Sequence, residues 1–296
     1  MSHISHRFAD EWLPKIVLSP TVLAALVFIY GFILVTVLLS FTESRLLPNW
    51  EFAGWERYVE LFDNERWWNS LKNLALFGTL FVGISVAVGL FIAILLDQKI
   101  RAEGALRAIY LYPMALSFVV TGTAWKWILT PSLGFEKLLR DWGWTSFSFD
   151  WLVDPDKAIY TVVIAGVWQS CGFAMALFLA GLRGIDTEII KAAQIDGAPM
   201  HVIYRRIVLP AMRPVFFSVL LILVHIAIKS FDLVMALTGG GPGNASDLPA
   251  IFMYQFSFNR GQLGLGAASA VMILMTVIAI MVPLMYAEVR TTHRER

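Results

Sequence analysis

KAAQIDGAPMHVIYRRIVLP, running from Lys191 to Pro210, is a polar and basic stretch lodged between two long apolar segments. Its local signals are those of two short helices joined by a turn. Asp186 suits a helix start, with Glu188 in the first turn where the helix dipole favours an acid. Ala192 and Ala193 are small, so another surface can approach that helix closely. Gly197 tolerates the backbone conformation that ends it, and Pro199 suits the first turn of the next. Arg205 and Arg206 sit toward that helix's C-terminal end, where the dipole and lipid phosphates both favour cations. Pro210 suits the start of the apolar segment that follows. An exposed insert of this make-up is better fitted to docking a soluble partner than to chemistry.

The surroundings are apolar enough for a membrane. Of the 296 residues 58% are hydrophobic and 15% charged, against roughly a quarter charged in soluble domains. A helix needs about 20 mostly apolar residues to cross the hydrocarbon core. Segments 16–41, 71–96, 105–130, 158–182, 209–237 and 263–287 qualify. None alternates like a barrel strand, and a backbone in lipid must bond to itself. The expected fold is therefore an all-α membrane protein. Its six transmembrane helices fill a domain over 16–290, the insert spans 185–207, and tails cover 1–15 and 291–296. The first run is longer than the apolar core of a signal peptide and lacks a cleavage site, so it is read as a retained span. A net charge of +1 creates no field that would recruit nucleic acid. Cys171 is the lone cysteine, which excludes an intramolecular disulfide and paired-cysteine metal motifs.

Charge orients the spans. Arg7 and Lys15, then Lys99, Arg101 and Arg107, then the insert with Arg183, Lys191, Arg205, Arg206 and Arg213, then Arg290, Arg294 and Arg296 fall in alternate connections. The intervening loops carry Glu43, Glu51, Glu56, Glu60 and Asp63, then Glu136, Asp141, Asp150, Asp154 and Asp156. The positive-inside rule places both termini and the insert in the cytoplasm. On the opposite side, WGWTSFSFDW at 142–151 is an aromatic stretch suited to a membrane interface. TGGGPGNA at 238–245 is a glycine-rich turn. It lacks the following Lys-Ser/Thr and the preceding strand of a phosphate loop.

The insert resembles the cytoplasmic coupling motif of ABC importer permeases. In that family the pattern is Glu-Ala-Ala, three residues, Gly, nine residues, Ile, any residue, Leu-Pro. Ala192-Ala193, Gly197, Ile207 and Leu209-Pro210 stand at those spacings. Lys191 departs from it, standing where the family has Glu, and Glu188 lies on about the same helical face. Asp196-Gly197-Ala198, Thr238–Pro242 and Tyr112-Pro113 resemble the carbohydrate branch, closest to glucose and mannose permeases. The resemblance implies a non-catalytic subunit in a bacterial inner membrane that binds no cofactor. It implies a sugar-binding protein outside the cell, a second permease subunit, and two ATPase subunits that hold ATP with Mg. Lys191 favours two different permeases over two copies of one. Glu188, Lys191, Ala192, Ala193, Asp196, Gly197, Ala198, Ile207 and Pro210 are the expected ATPase-coupling residues.

A sugar path needs hydrogen-bonding side chains and aromatic faces. Trp168, Gln169, Ser170 and Phe173, with Gly166 giving room, lie in the fourth span, and His225, Lys229, Ser230 and Asp232 in the fifth. By position relative to the motif, Gly166, Gln169, Ser170, Phe173, Ile226 and Ser230 are expected to line the path. Other readings stay open. Gln169 and Ser170 can bond between helices. Lys229 and Asp232 are spaced for an ion pair on one helix face. His225 can be a satisfied interior residue, and Trp125 and Trp127 around Lys126 an interface anchor. Asp232, Lys229 and His225 could alternatively drive ion-coupled transport directly. No nucleophile–base pair, metal cluster or paired carboxylates are recognisable, so a membrane-embedded enzyme lacks its constellation.

Overall fold

The structure is a computed structural model that describes Lys15, 17–98 and 100–294, with side chains through Tyr286. The expected tail over 1–14 and the orienting side chains of Arg7, Lys99, Arg290, Arg294 and Arg296 lie outside the described residues. In chain order the helices are α1 (Val17–Leu39), α2 (Glu56–Asp63), α3 (Glu65–Leu96) and α4 (Glu103–Leu111). They continue with α5 (Phe118–Leu129), α6 (Phe135–Asp141), α7 (Ala158–Arg183), α8 (Thr187–Ile195) and α9 (Met200–Ala211). The last are α10 (Arg213–Ile228), α11 (Asp232–Leu237), α12 (Pro249–Tyr254) and α13 (Leu263–Arg294). Among the described residues the one β-type pairing outside helices is the isolated bridge Thr42–Phe52.

Four helices, α1, α3, α7 and α13, are long and apolar enough to cross a membrane, and six spans result if two bent pairs each count as one. The bends correct the sequence reading of 105–130 and 209–237 as unbroken spans. Between α4 and α5 the chain turns by 100°. A 3-10 turn at Tyr112–Ala115 contains Pro113, and Leu116 is extended at φ −81°, ψ 147°. Ser117 is extended too, and its Oγ accepts from the Val120 N–H at 3.3 Å, which caps α5. A proline followed by two extended residues cannot continue an α-helix. The second bend, 64°, separates α9 from α10. Pro210 lies inside the last turn of α9, and Pro214 occupies the first turn of α10. Pro210 has no N–H to bond back along the ladder, and a wide π turn at Tyr204–Val208 precedes it. A further break at Lys229–Phe231 divides α10 from α11.

The chain forms two compact units: residues up to Asp63 with Met253–Met272, and Asn64–Phe252 with the residues from Ile273 on. In the first, α1 is exposed along its length. The turn after it is held by hydroxyls. Ser44 Oγ donates to the Asn49 carbonyl at 2.7 Å and accepts the Asn49 N–H at 3.0 Å. Phe41 packs edge-on to Trp55, with centroids 5.1 Å apart.

The second unit is built on α3 against α7. Phe77, Phe81, Met175 and Phe178 are fully buried there. Lipid is as apolar as leucine, so close packing rather than water exclusion holds such helices together. Gly89 illustrates this, since a Cβ on it would lie 2.7 Å from that of Ala174. The loop after α11 is pinned to the start of α3. Asn69 Nδ2 donates to the Asn244 carbonyl at 2.8 Å, Asn73 Nδ2 reaches those of Ala245 and Asp247 at 3.0 Å, and Arg66 pairs with Asp247. The glycine-rich segment is thus an ordered turn, with Gly239, Gly240 and Gly243 all at positive φ.

Candidate functional site

The insert forms as its local signals require. Asp186 is extended, and its Oδ1 accepts the Glu188 N–H at 2.8 Å to cap α8. At the other end Gly197 sits at φ +79°. The N–H groups of Gly197 and Ala198 reach back to the carbonyls of Gln194 and Ala193, each at 3.0 Å. This is the left-handed stop that glycine makes without strain. Pro199 lies one position earlier than expected, at the cap of α9 rather than in its first turn.

The two helices divide their residues between two sides. Ala193, Ala198, Ile190 and Ile207 pack against the core, where Ile203 and Val208 are buried. Glu188, Lys191, Ala192, Asp196 and Gly197 are exposed, and Pro210 is half-buried. The same outer side carries bare apolar groups: Ile195 is 86% exposed and Ile189 51%. Sequence alone does not single out the two isoleucines, because an apolar side chain in an amphipathic helix normally faces the core.

The base of the insert is clasped. Arg183, the last residue of α7, donates from Nη2 to Glu103 Oε1 at 2.7 Å and to the Leu96 carbonyl at 3.5 Å, and lies 3.9 Å from Asp97. In the sequence Arg183 is visible only as an orienting charge.

A pocket of about 200 Å³ is lined by Phe118, His225, Ile226, Lys229, Ser230, Phe231, Asp232 and Leu233. Of the expected path residues it contains Ile226 and Ser230. The other four stand apart. Gly166 is buried behind Leu233, and a Cβ there would meet Phe81 at 3.1 Å. Gln169 is 4% exposed and donates from Nε2 to the Leu116 carbonyl at 2.8 Å, so it bonds between helices. Ser170 is buried and Phe173 half-buried away from the pocket lining. Trp125 packs edge-on to Trp168 at 5.8 Å, whereas Trp127 is exposed.

The pocket is chemically mixed. Lys229 ends α10 and Asp232 begins α11, where each helix dipole favours its charge. Both are exposed, and no ion pair joins them, because the helix that would align them three residues apart is broken between them. His225 is exposed on the same wall rather than satisfied in the interior. A larger groove of about 550 Å³ is lined by aliphatic groups with Gly78, Thr79, Gly83 and Thr276, which offer a polyol few partners. Among the described residues no three His, Cys, Asp or Glu side chains gather as metal ligands.

Away from this wall, Glu136 on α6 is buried, pairs with Arg140 at 2.8 Å and accepts the Phe149 N–H at 3.2 Å. It thereby ties down the aromatic stretch, whose Trp142 and Trp144 remain exposed. Before α7, the Lys157 hydrogen bond and the Asp156 N–H hold the Asp154 carboxyl below its usual range.

Residues 85–290, which include the insert and the lining of the pocket along α10 and α11, match the family described as binding-protein-dependent transport system inner membrane component. The chain belongs to this family. A relative from Pyrococcus horikoshii, named "Probable ABC transporter permease protein", is 38% identical to this inner membrane component over 93% of the chain and 95% of its own length. The xylose/arabinose import permease protein of Haloferax volcanii is 32% identical over 95% of this component and 87% of its own length. A crystal structure of a bacterial ABC transporter that imports the acidic polysaccharide alginate contains a chain with the same fold. It has a TM-score of 0.85 at 19% identity and covers 97% of this chain and 99% of that one.

Proposed function

We propose that this inner membrane component is the permease subunit of an ATP-driven sugar importer. It provides half of a translocation path and hydrolyses nothing itself. The left-handed turn at Gly197 between α8 and α9 carries the reading. It holds two short helices at an angle, with small and apolar groups facing outward, at the spacing of the coupling motif. In this reading the insert and both termini are cytoplasmic, as charge alternation implies. Two ATPase subunits bind Mg-ATP, and one docks on Glu188, Lys191, Ala192, Asp196 and Gly197, with Ala193, Ala198, Ile207 and Pro210 bracing the lever from the core side. A binding protein delivers sugar from outside. Lys191 in place of an acid favours a second, different permease that carries the acid-to-base contact.

The pocket along α10 and α11 is the part of the path assigned to sugar. Each sugar hydroxyl both donates and accepts, so Lys229, Ser230 and Asp232 offer complementary partners, and Phe118 an apolar face. Gly166, Gln169, Ser170 and Phe173 belong to the supporting wall. The relatives' names support a sugar; glucose or mannose is the specific proposal.

The test is reconstitution in proteoliposomes with the second permease, the ATPase and the binding protein, using labelled glucose, mannose, xylose and arabinose. Uptake that requires Mg-ATP and the binding protein and survives collapse of ion gradients supports the reading. Uptake by this chain alone that follows a proton gradient would replace it with ion coupling through Asp232, Lys229 and His225.

A further inference from the structure

We infer that Gln169 is a positioning residue: α4, the turn at Tyr112–Ala115 and α7 move as one body, and Gln169 makes the pocket wall at Phe118 follow the coupling insert. The inference rests on the proposed function only for what drives the insert. The ties themselves are contacts of the fold.

Three ties join α7 to the bent pair α4–α5 at successive levels. At the insert end, Arg183 holds Glu103 at 2.7 Å and the Leu96 carbonyl at 3.5 Å. Midway, Gly172 lies so close to the Tyr110 carbonyl that no Cβ fits between them. At the bend, Gln169 Nε2 donates to the Leu116 carbonyl at 2.8 Å. Leu116 is extended, so its carbonyl stands outside the helical ladder. A carbonyl of that kind in an apolar interior needs a donor from elsewhere. Gln169 supplies it from a site that is 4% exposed, while its own Oε1 is buried without a hydrogen-bond partner. The side chain thus satisfies the bend at the cost of its own acceptor.

The consequence is directional. Arg183 ends α7 immediately before the Asp186 cap, so displacement of α8 acts first on α7. Leu116 and Ser117 lead directly into Phe118, which lines the pocket. Movement of the insert therefore reaches the bent pair through all three ties, and the Gln169 hydrogen bond is the one of them nearest to Phe118.

The test uses the complete importer with Cys171→Ser. Spin labels at Val119→Cys on α5, next to Phe118, and Ala180→Cys on α7, both exposed, report their separation without nucleotide and with Mg-ATP trapped by vanadate. The separation is expected to stay constant, and to change on trapping once Gln169→Met removes the donor at similar volume. A separation that changes in the parent protein, or that stays constant in Gln169→Met, overturns the inference. In transport, Gln169→Met is expected to lower uptake per ATP hydrolysed about ten-fold with KM for sugar unchanged. A raised KM with uptake per ATP intact would instead make Gln169 a sugar contact. Failure of the parent assembly to import any of the four sugars would overturn the sugar reading alone, because the spin-label measurement uses only Mg-ATP.

Discussion

Arg66 Nε and Asp247 Oδ2 meet at 2.6 Å, and the Asp247 side chain has no solvent exposure. The pair joins the first turn of α3 to the loop after α11, 181 residues away in sequence. Removing one partner of a buried pair leaves an uncompensated charge, at a cost of about 3–5 kcal/mol. Arg66→Leu is therefore expected to lower thermal stability in detergent sharply. Combining it with Asp247→Leu should recover most of the loss. Additive losses in the double variant would show that the two side chains act separately.

Gly172 and Gly104 make a matched pair for packing. Gly172 faces the Tyr110 carbonyl with no space for a Cβ, whereas a Cβ on Gly104 would meet nothing within 4 Å. Gly172→Ala is expected to destabilise by about 1–3 kcal/mol, as overpacking does. Gly104→Ala, in the first turn of α4, should be neutral or stabilise by up to about 1 kcal/mol. Thermal unfolding of the two variants in one detergent gives the comparison, and equal midpoints would contradict it.

Gly197 at φ +79° can be replaced only by residues that accept a left-handed backbone. Gly197→Val should cost about 1–2 kcal/mol in the turn and Gly197→Asn less. If the turn fixes the angle of α8 to α9, sugar uptake per ATP hydrolysed falls in the order Gly, Asn, Val. Equal ratios in all three would mean that the turn geometry does not govern coupling.

Glu136 ties α6 to the aromatic stretch through Arg140 and the Phe149 N–H. Glu136→Ala removes both bonds and leaves the Phe149 N–H without its acceptor, a loss of about 1–3 kcal/mol. The stretch should loosen, seen as faster acrylamide quenching of Trp142, Trp144 and Trp151 fluorescence. Unchanged quenching would place its order in ring packing instead, such as Phe149 on Trp151 at 5.0 Å.

Local chemistry was readable where one residue type decides the outcome. Asp186 caps and Gly197 stops because of rules that act within a few residues, and the long apolar helices follow from lipid's lack of hydrogen-bonding groups. The bends were hidden because a hydropathy window averages over them. Pro113 through Leu116 is as apolar as its flanks, and only Pro113 with Ser117 as a helix-capping residue signals the break. Lys229 and Asp232 were noticed as charges, but their spacing suggested one helix face, whereas Ser230 and Phe231 lie in a gap between helices. Asp247 carries no local signal in the sequence. Nothing within its own stretch distinguishes a loop carboxylate from one paired with an arginine 181 residues away.

The bond between Leu116 and Gln169 also bears on biosynthesis. The two residues are 53 apart in sequence, so at about 5–20 residues per second roughly 3–10 s pass between their syntheses. During that interval the Leu116 carbonyl has no Gln169 to meet. The bent segment therefore reaches its final form only after α7 has been made, which sets an order of assembly within this one chain.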